Sequence, residues 1–310
     1  MMNGLSLKKN NQEPLPQQYN VLETMLLYSK VAKMPLCLMV AFSTLFGYFL
    51  IQPTVDLQLL KSFSGVFLLA CGAASLNSIQ EKVSDAAYKR TCRRPVATGQ
   101  VSKHNASYFT AVNCVLGLML LALCGNDLLP FFLGLAALII YNFVYTPLKQ
   151  FTEISLLAGG ISGALPPAIG WTSGGGNIFD PLIWAVMALF FLWQPPHFCL
   201  ILLEYAEDYR KKRQFTNLIT RFSVARVKKI IAIWLLAFLT IVLSLTILPG
   251  YLSQSVRFAL ATGGPLFVAL FLLHLFLCRA PRYKLLFVSL NGFMFSIMAL
   301  LTFSSIIDTI

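Results

Sequence analysis

Apolar residues run along this chain in blocks of about twenty, and nearly all of the charge is gathered between the blocks. A bilayer core needs about 20 predominantly apolar residues per helix. The pattern therefore predicts nine membrane helices, over 36–54, 62–80, 106–124, 128–146, 154–172, 181–203, 230–248, 257–277 and 285–306. The expected fold class is an all-α membrane protein with nine transmembrane helices. The fifth block is the least regular, broken by Gly159, Gly160, Gly163, Pro166, Pro167 and Gly170. Such residues are tolerated in a membrane where neighbours satisfy the backbone, and small ones permit close helix packing.

The charges orient these blocks. With the N-terminus on the cytoplasmic side, only Lys61 and Arg257 among the 24 Lys and Arg residues fall on the opposite side, together with Asp56, Asp127, Asp180 and Asp308. Cytoplasmic segments of membrane proteins carry an excess of Lys and Arg. An N-terminus inside and a C-terminus outside is the expected topology. The net charge of +12 then reflects topology rather than a nucleic-acid partner, and a soluble enzyme is excluded by 57% hydrophobic and 12% charged residues. The expected organisation is a polar cytoplasmic tail, 1–30, followed by one membrane domain, 31–310. The tail has no apolar core of a signal peptide and no Arg-rich amphipathic pattern, so a prokaryotic inner membrane is expected. Seven cysteines form no CxxC pair and read as small apolar residues.

Two segments, 81–105 and 204–229, are long, lie on the same side, and mix acids with basic clusters. Both come after an even-numbered block, which suggests two related halves. In the first, Asn77, Glu81 and Asp85 recur at intervals of four, placing three oxygen-bearing side chains on one face of a helix. Carboxylates so placed suit Mg²⁺ with diphosphate oxygens completing its shell, and Arg90, Arg93 and Arg94 suit the phosphates. From spacing alone, a solvated helix end with local pairs such as Asp85–Lys89 is the plainer reading. The second segment carries Glu204, Glu207 and Asp208 before Arg210–Lys211–Lys212–Arg213, either a second metal site or a polybasic stretch held against anionic lipid. His197, inside the sixth block, is a functional candidate or a histidine bonded to a carbonyl. His274 reads as structural, and His104 tells little.

Asn77-x₃-Glu81-x₃-Asp85 followed by Arg90-Thr91-x₂-Arg94-Pro95-x₃-Gly99 resembles the first signature of the UbiA superfamily of intramembrane prenyltransferases. Within it, Tyr145-Thr146-Pro147-Leu148-Lys149, Gly163-Ala164-Leu165-Pro166-Pro167 with Gly170-Trp171, and Trp193-Gln194-Pro195-Pro196-His197-Phe198 with Asp208-Tyr209 resemble the protoheme IX farnesyltransferase (heme O synthase) branch. The resemblance covers about residues 30–300. It implies a nine-helix bundle, and Mg²⁺-diphosphate held by Asn77, Glu81, Asp85 and, for a second metal, Asp208. Arg90, Arg93, Arg94 and Lys149 would neutralise the diphosphate. His197, with Trp193 and Tyr145, would line the heme cavity. The implied substrates are farnesyl diphosphate and heme b, taken from within the lipid bilayer, with a heme A synthase or terminal oxidase as onward partner.

Three positions depart from that pattern: Glu81 stands for the usual Asp, Gln150 for a common Arg, and 210–218 lack the usual small and Pro-Met-Leu elements. The alternatives are a UbiA enzyme with another acceptor, such as an aromatic or quinone precursor, chlorophyllide or glycerol phosphate, or a non-catalytic heme- or lipid-binding homologue. A transporter would place its charges near the midplane of broken helices. Here they cluster at helix ends.

Overall fold

A computed structural model describes residues 20–207 and 221–307. Among them the structure is all helical. Successive elements are α1 (Val21–Val31), α2 (Met34–Phe49), α3 (Leu57–Gln80), α4 (Lys82–Ala87), α5 (Pro95–Thr98), α6 (Lys103–Ala122) and α7 (Leu129–Ile139). A π-helical turn, Ile140–Tyr145, then runs into α8 (Thr146–Leu148). The remaining elements are α9 (Ser155–Ser173), α10 (Pro181–Glu204), α11 (Val224–Ile247), α12 (Gln254–Leu277) and α13 (Tyr283–Ile307). Helix starts obey capping chemistry: Asn20 and Glu23 form a reciprocal capping box on α1, and Asp56, Ser102, Asp180, Ser223 and Ser253 each accept a main-chain N–H of the first turn.

Seven helices among the described residues are long and apolar enough to cross a membrane: α3, α6, the continuous stretch Leu129–Leu148, α10, α11, α12 and α13. The pair α1 and α2, bent by 62°, makes an eighth if it is one span. The chain is a multi-pass integral membrane protein. The fifth expected block forms α9, which falls short of these seven in apolarity. Its position explains this: from Ala164 to Ser173 every residue is buried, enclosed by α2, α7 and α10. A helix wrapped in protein need not match hydrocarbon. The sequence expectation also began the first span at residue 36, whereas α1 already starts at Val21.

Contacts run around a circle: α2 on α3, α3 on α6, α6 on α7, α7 on α9, α9 on α10, then α10 on α11, α11 on α12 and α12 on α13. The circle closes where α13 meets α2, with the Ser305 hydroxyl donating to the carbonyl oxygens of Phe49 (3.0 Å) and Leu50 (3.2 Å). Helix α9 also crosses α2 without side chains between their backbones at two points. A methyl group on Gly47 would meet the Pro167 carbonyl, and one on Gly170 would meet the Thr44 carbonyl. The two suspected halves have a physical counterpart in α3 and α10. Each has 24 residues and each begins at an aspartate that caps the helix and accepts a tyrosine hydroxyl, Tyr48 on Asp56 (2.7 Å) and Tyr251 on Asp180 (2.9 Å).

Gly47→Ala and Gly170→Ala are expected to destabilise the protein by roughly 1–3 kcal/mol or more, because the clash is with main chain that cannot rotate away. Gly292→Ala, which has no neighbour within 4 Å, is expected to be neutral or slightly stabilising. Thermal unfolding of the three variants in detergent checks the contrast.

Candidate active site

The end of the bundle formed by the C-termini of α3 and α8 carries a buried polar cluster. Asn77 lies in the last turn of α3, Glu81 is the residue at which that helix stops, and Asp85 is in α4. All three are less than a tenth exposed. Glu81, with φ −96° and ψ 10°, interrupts the regular helix between α3 and α4, yet its N–H still donates to the Asn77 carbonyl oxygen (2.9 Å) and the Asp85 N–H to the Glu81 carbonyl oxygen (2.7 Å).

Each of the three side chains meets one cation. Arg94 Nη1 lies 2.7 Å from both carboxylate oxygens of Asp85. Lys149 forms an ion pair with Glu81. Lys33 Nζ donates to Asn77 Oδ1 at 2.6 Å. The cations arrive from three places: the loop before α5, the end of α8, and the bend between α1 and α2. The local Asp85–Lys89 alternative is replaced by Asp85–Arg94.

The Arg-Thr-x₂-Arg-Pro-x₃-Gly segment explains how Arg94 arrives. Thr91 Oγ1 donates to the Asp85 carbonyl oxygen (2.8 Å), folding the loop back on itself. Arg94 is the N-cap of α5, Pro95 starts that helix, and Gly99 ends it at φ 82°, a conformation that favours glycine. The π turn explains how Lys149 arrives. Widening one turn rotates the residues beyond it, so that Tyr145 stacks on Tyr141 with centroids 5.5 Å apart and Lys149 Nζ lies 5.0 Å from the Tyr145 ring centre. The turn is tied to α3 by Asn142 Nδ2, which donates to the Ala73 carbonyl oxygen (2.9 Å), and by Gln80 Nε2, which donates to the Asn142 carbonyl oxygen (3.0 Å). Asn77 Nδ2 donates to Thr146 Oγ1 at 3.1 Å, which fixes the amide so that its oxygen faces Lys33.

This packing sets the electrostatics. Burial works to raise the Glu81 carboxyl, but Lys149, Lys33 and Arg94 overcome it and hold the group below the ordinary carboxylate value. Burial likewise works to lower Lys149, and the Tyr145 and Glu81 groups beside it hold its ammonium above the ordinary lysine value.

The other expected site residues lie elsewhere. Arg90 is exposed over the ring of Tyr205, 5.7 Å from its centre, which joins the segments after α3 and α10 at one end of the bundle. Arg93 is exposed on the same loop, and Gln150 is half-buried beside Lys149 in sequence. Asp208 and 210–213 fall outside the described residues. Glu204 accepts the first-turn N–H of Lys284 (3.1 Å) at the start of α13. His197 keeps separate company: its ring packs between Trp193 (4.4 Å) and Phe287 (4.6 Å), and Nδ1 lies 3.1 Å from Asn291 Oδ1. Tyr145, grouped by sequence with His197 and Trp193, stands instead with Lys149. Trp193 Nε1 is buried with no hydrogen-bond partner among the described residues. Sequence reading missed Lys33, Asn142 and Thr146 as parts of the cluster. Thr146 lies inside the Tyr-Thr-Pro-Leu-Lys motif, and Lys33 precedes Met34-Pro35 at the opening of a span.

One end of the membrane helix bundle thus buries two carboxylates and an amide oxygen against three cations. The UbiA prenyltransferase family profile matches residues 40–298, and the chain belongs to that family. Its curated relatives include the protoheme IX farnesyltransferases of Oleidesulfovibrio alaskensis, 36% identical over 228 residues (73% of this chain and 79% of the relative), and of Geobacter sulfurreducens, 36% identical over 250 residues (80% and 87%). A UbiA homologue from Archaeoglobus fulgidus solved with GPP and Mg²⁺ has the same fold, with a TM-score of 0.67 at 16% identity over 90% of this chain and 99% of the other. The family match and the named relatives make the chain a prenyltransferase, and the structural likeness shows the shared fold.

Glu81 contributes to stability above the carboxyl value of the unfolded chain, and this contribution is lost as pH falls through its depressed folded value. Lys149→Met raises the folded value toward, or above, the ordinary one. The variant is expected to lose thermal stability at a higher pH than the parent on acidification, as read by Tm from pH 7 downward.

Proposed function

We propose that the protein transfers the farnesyl group of farnesyl diphosphate to a vinyl group of protoheme IX, with addition of water, giving heme O. The reading rests on the buried cluster of Asn77, Glu81 and Asp85 with Lys33, Lys149 and Arg94 at the mouth of an apolar bundle. The acceptor is taken from the relatives named as protoheme IX farnesyltransferases.

The donor set suits Mg²⁺, a hard cation that takes oxygen ligands and keeps diphosphate oxygens in its shell. Glu81, Asp85 and the Asn77 amide oxygen would hold it, joined by Asp208 for a second ion. Bound there, Mg²⁺ supplies Lewis-acid stabilisation of the leaving diphosphate. Arg94, Lys149 and Lys33 bind the diphosphate oxygens and stabilise charge as the farnesyl C1–O bond breaks, the electron pair leaving with the diphosphate. Arg90 and Arg93, exposed on the loop, serve its approach. The allylic cation is attacked by the terminal vinyl carbon of heme b. Water adds to the resulting cation at the adjacent carbon, and a proton is released. The apolar helices exclude water until the carbon–carbon bond has formed. Tyr145, set between Tyr141 and Lys149, shields the ionising carbon, while Trp193, His197 and Phe287 line the heme side.

In this reading α9 is the ninth membrane helix. The N-terminus and the site face the cytoplasm of a prokaryotic inner membrane, where the basic loops belong. Product passes to a heme A synthase or an oxidase. A UbiA enzyme with another acceptor would share the polar cluster but has no use for the His197 group.

Purified protein in nanodiscs with heme b, farnesyl diphosphate and Mg²⁺ is expected to yield hydroxyethylfarnesyl heme by mass spectrometry, and none with EDTA. Unmodified heme, with diphosphate released on another acceptor, would move the protein to a sister activity. Asp85→Asn is expected to lower turnover by at least about a hundredfold without loss of membrane insertion. His197→Ala is expected to raise KM for heme more than KM for farnesyl diphosphate.

A further inference from the structure

The cluster is self-neutralised: every oxygen donor proposed for the metal among the described residues is already occupied by one of the cations proposed for the diphosphate. Asp85 holds Arg94 through both oxygens, Glu81 holds Lys149, and the Asn77 oxygen holds Lys33. All three acceptors are buried, so a carboxylate that loses its partner cannot turn to water, while the side chains of Arg94 and Lys149 are only a quarter exposed and recover little of it. An anion arriving alone draws the cations away and leaves two buried carboxylates unpaired beside its own negative charge. A divalent cation arriving alone takes the carboxylates and strands an arginine and a lysine beside its positive charge. Breaking one side of a buried pair is strongly destabilising. Only when both arrive does every group change partner without any being left unpaired.

Building on the diphosphate–metal role proposed above, we infer that the three pairs act as a mutual lock: the site's affinity for diphosphate and its affinity for the divalent cation are each held down until the other ligand is present. The coupling is reciprocal by thermodynamic necessity. The lock has three independent hinges, since Lys33, Lys149 and Arg94 come from three separate segments. Lys33 also holds a left-handed backbone conformation (φ 54°), the one non-glycine residue with positive φ among those described. Exchange at Asn77 therefore acts directly on the α1–α2 bend, while exchange at Asp85 acts on the loop before α5.

The lock has an outcome opposite in sign to the simple expectation that losing a ligand weakens binding. Calorimetric titration of the full chain in detergent with inorganic pyrophosphate, in EDTA, is expected to show Asp85→Asn and Glu81→Gln binding at least about tenfold more tightly than the parent, since each frees a cation that the acid had occupied. With Mg²⁺ present, the parent is expected to bind pyrophosphate and both variants to lose most of the metal-dependent gain. Glu204→Gln, whose carboxylate caps α13 and holds none of these cations, is the control and is expected to change metal-free binding by less than about twofold.

No gain in EDTA for either acid variant, or an equal gain for Glu204→Gln, would overturn the lock while leaving the active-site assignment in place. Failure of the parent to bind pyrophosphate even with Mg²⁺ would overturn both. The converse is read by electron paramagnetic resonance with Mn²⁺ alone: Lys149→Met is expected to bind it more tightly than the parent, and equal or weaker binding would overturn the lock from the metal side.

Discussion

The constraint on which this structure depends is the cost of a charge at the end of an apolar helix bundle. Two carboxylates are placed where water scarcely reaches, and each is matched by a cation supplied from a different part of the chain. Because pairing is compulsory, it also organises the fold at that end. It fixes the loop before α5 against α4, draws the end of α8 to the end of α3, and sets the α1–α2 bend over Asn77. These ion pairs act beside the amide ties of Asn77, Gln80 and Asn142 and the apolar contact of Val31 with Val96 and Val101. The chemistry of the site and the architecture around it are one set of contacts.

The helix interruptions serve that convergence. At Glu81 the helix becomes irregular just where the acids begin, and Lys149 and Arg94 meet the two carboxylates from other segments. The π turn does the same from the opposite wall, turning Tyr145 and Lys149 inward, and the amides of Asn142 and Gln80 hold the turn to α3 where its main-chain ladder is irregular. Helix α9 gives up apolarity for closeness. Its prolines and glycines would be liabilities in lipid, but they let α2 approach until carbonyl groups touch the glycine positions.

How far the sequence disclosed this differs by feature. The spans were legible because a bilayer demands long apolar stretches whatever their neighbours, and seven of the nine blocks coincide with helices of that kind. The polar signature was legible as a set of residue types, and Arg94, Lys149, Glu81 and Asp85 do meet. Their pairing was not, since spacing within one segment cannot show which cation another segment brings to it. Lys33 carried no signal beyond its charge, which topology already explained. Tyr145 was placed with His197 and Trp193 by the family resemblance. Which wall a ring faces depends on the π turn, and that is set by long-range bonds to α3.

The paired caps on α3 and α10 bear on the membrane itself. Each helix is pinned at one end by an aspartate joined to a tyrosine and continues for 24 residues, about 36 Å at the ordinary rise, to the site-bearing end. Ends so fastened cannot fray to suit a thinner bilayer, whose hydrocarbon core averages about 30 Å. The excess length must be taken up by tilt or by lipid thickening around the protein. Because α3 and α10 are equal in length, the same adjustment falls on both, and the thickness of the surrounding lipid sets how far they lean.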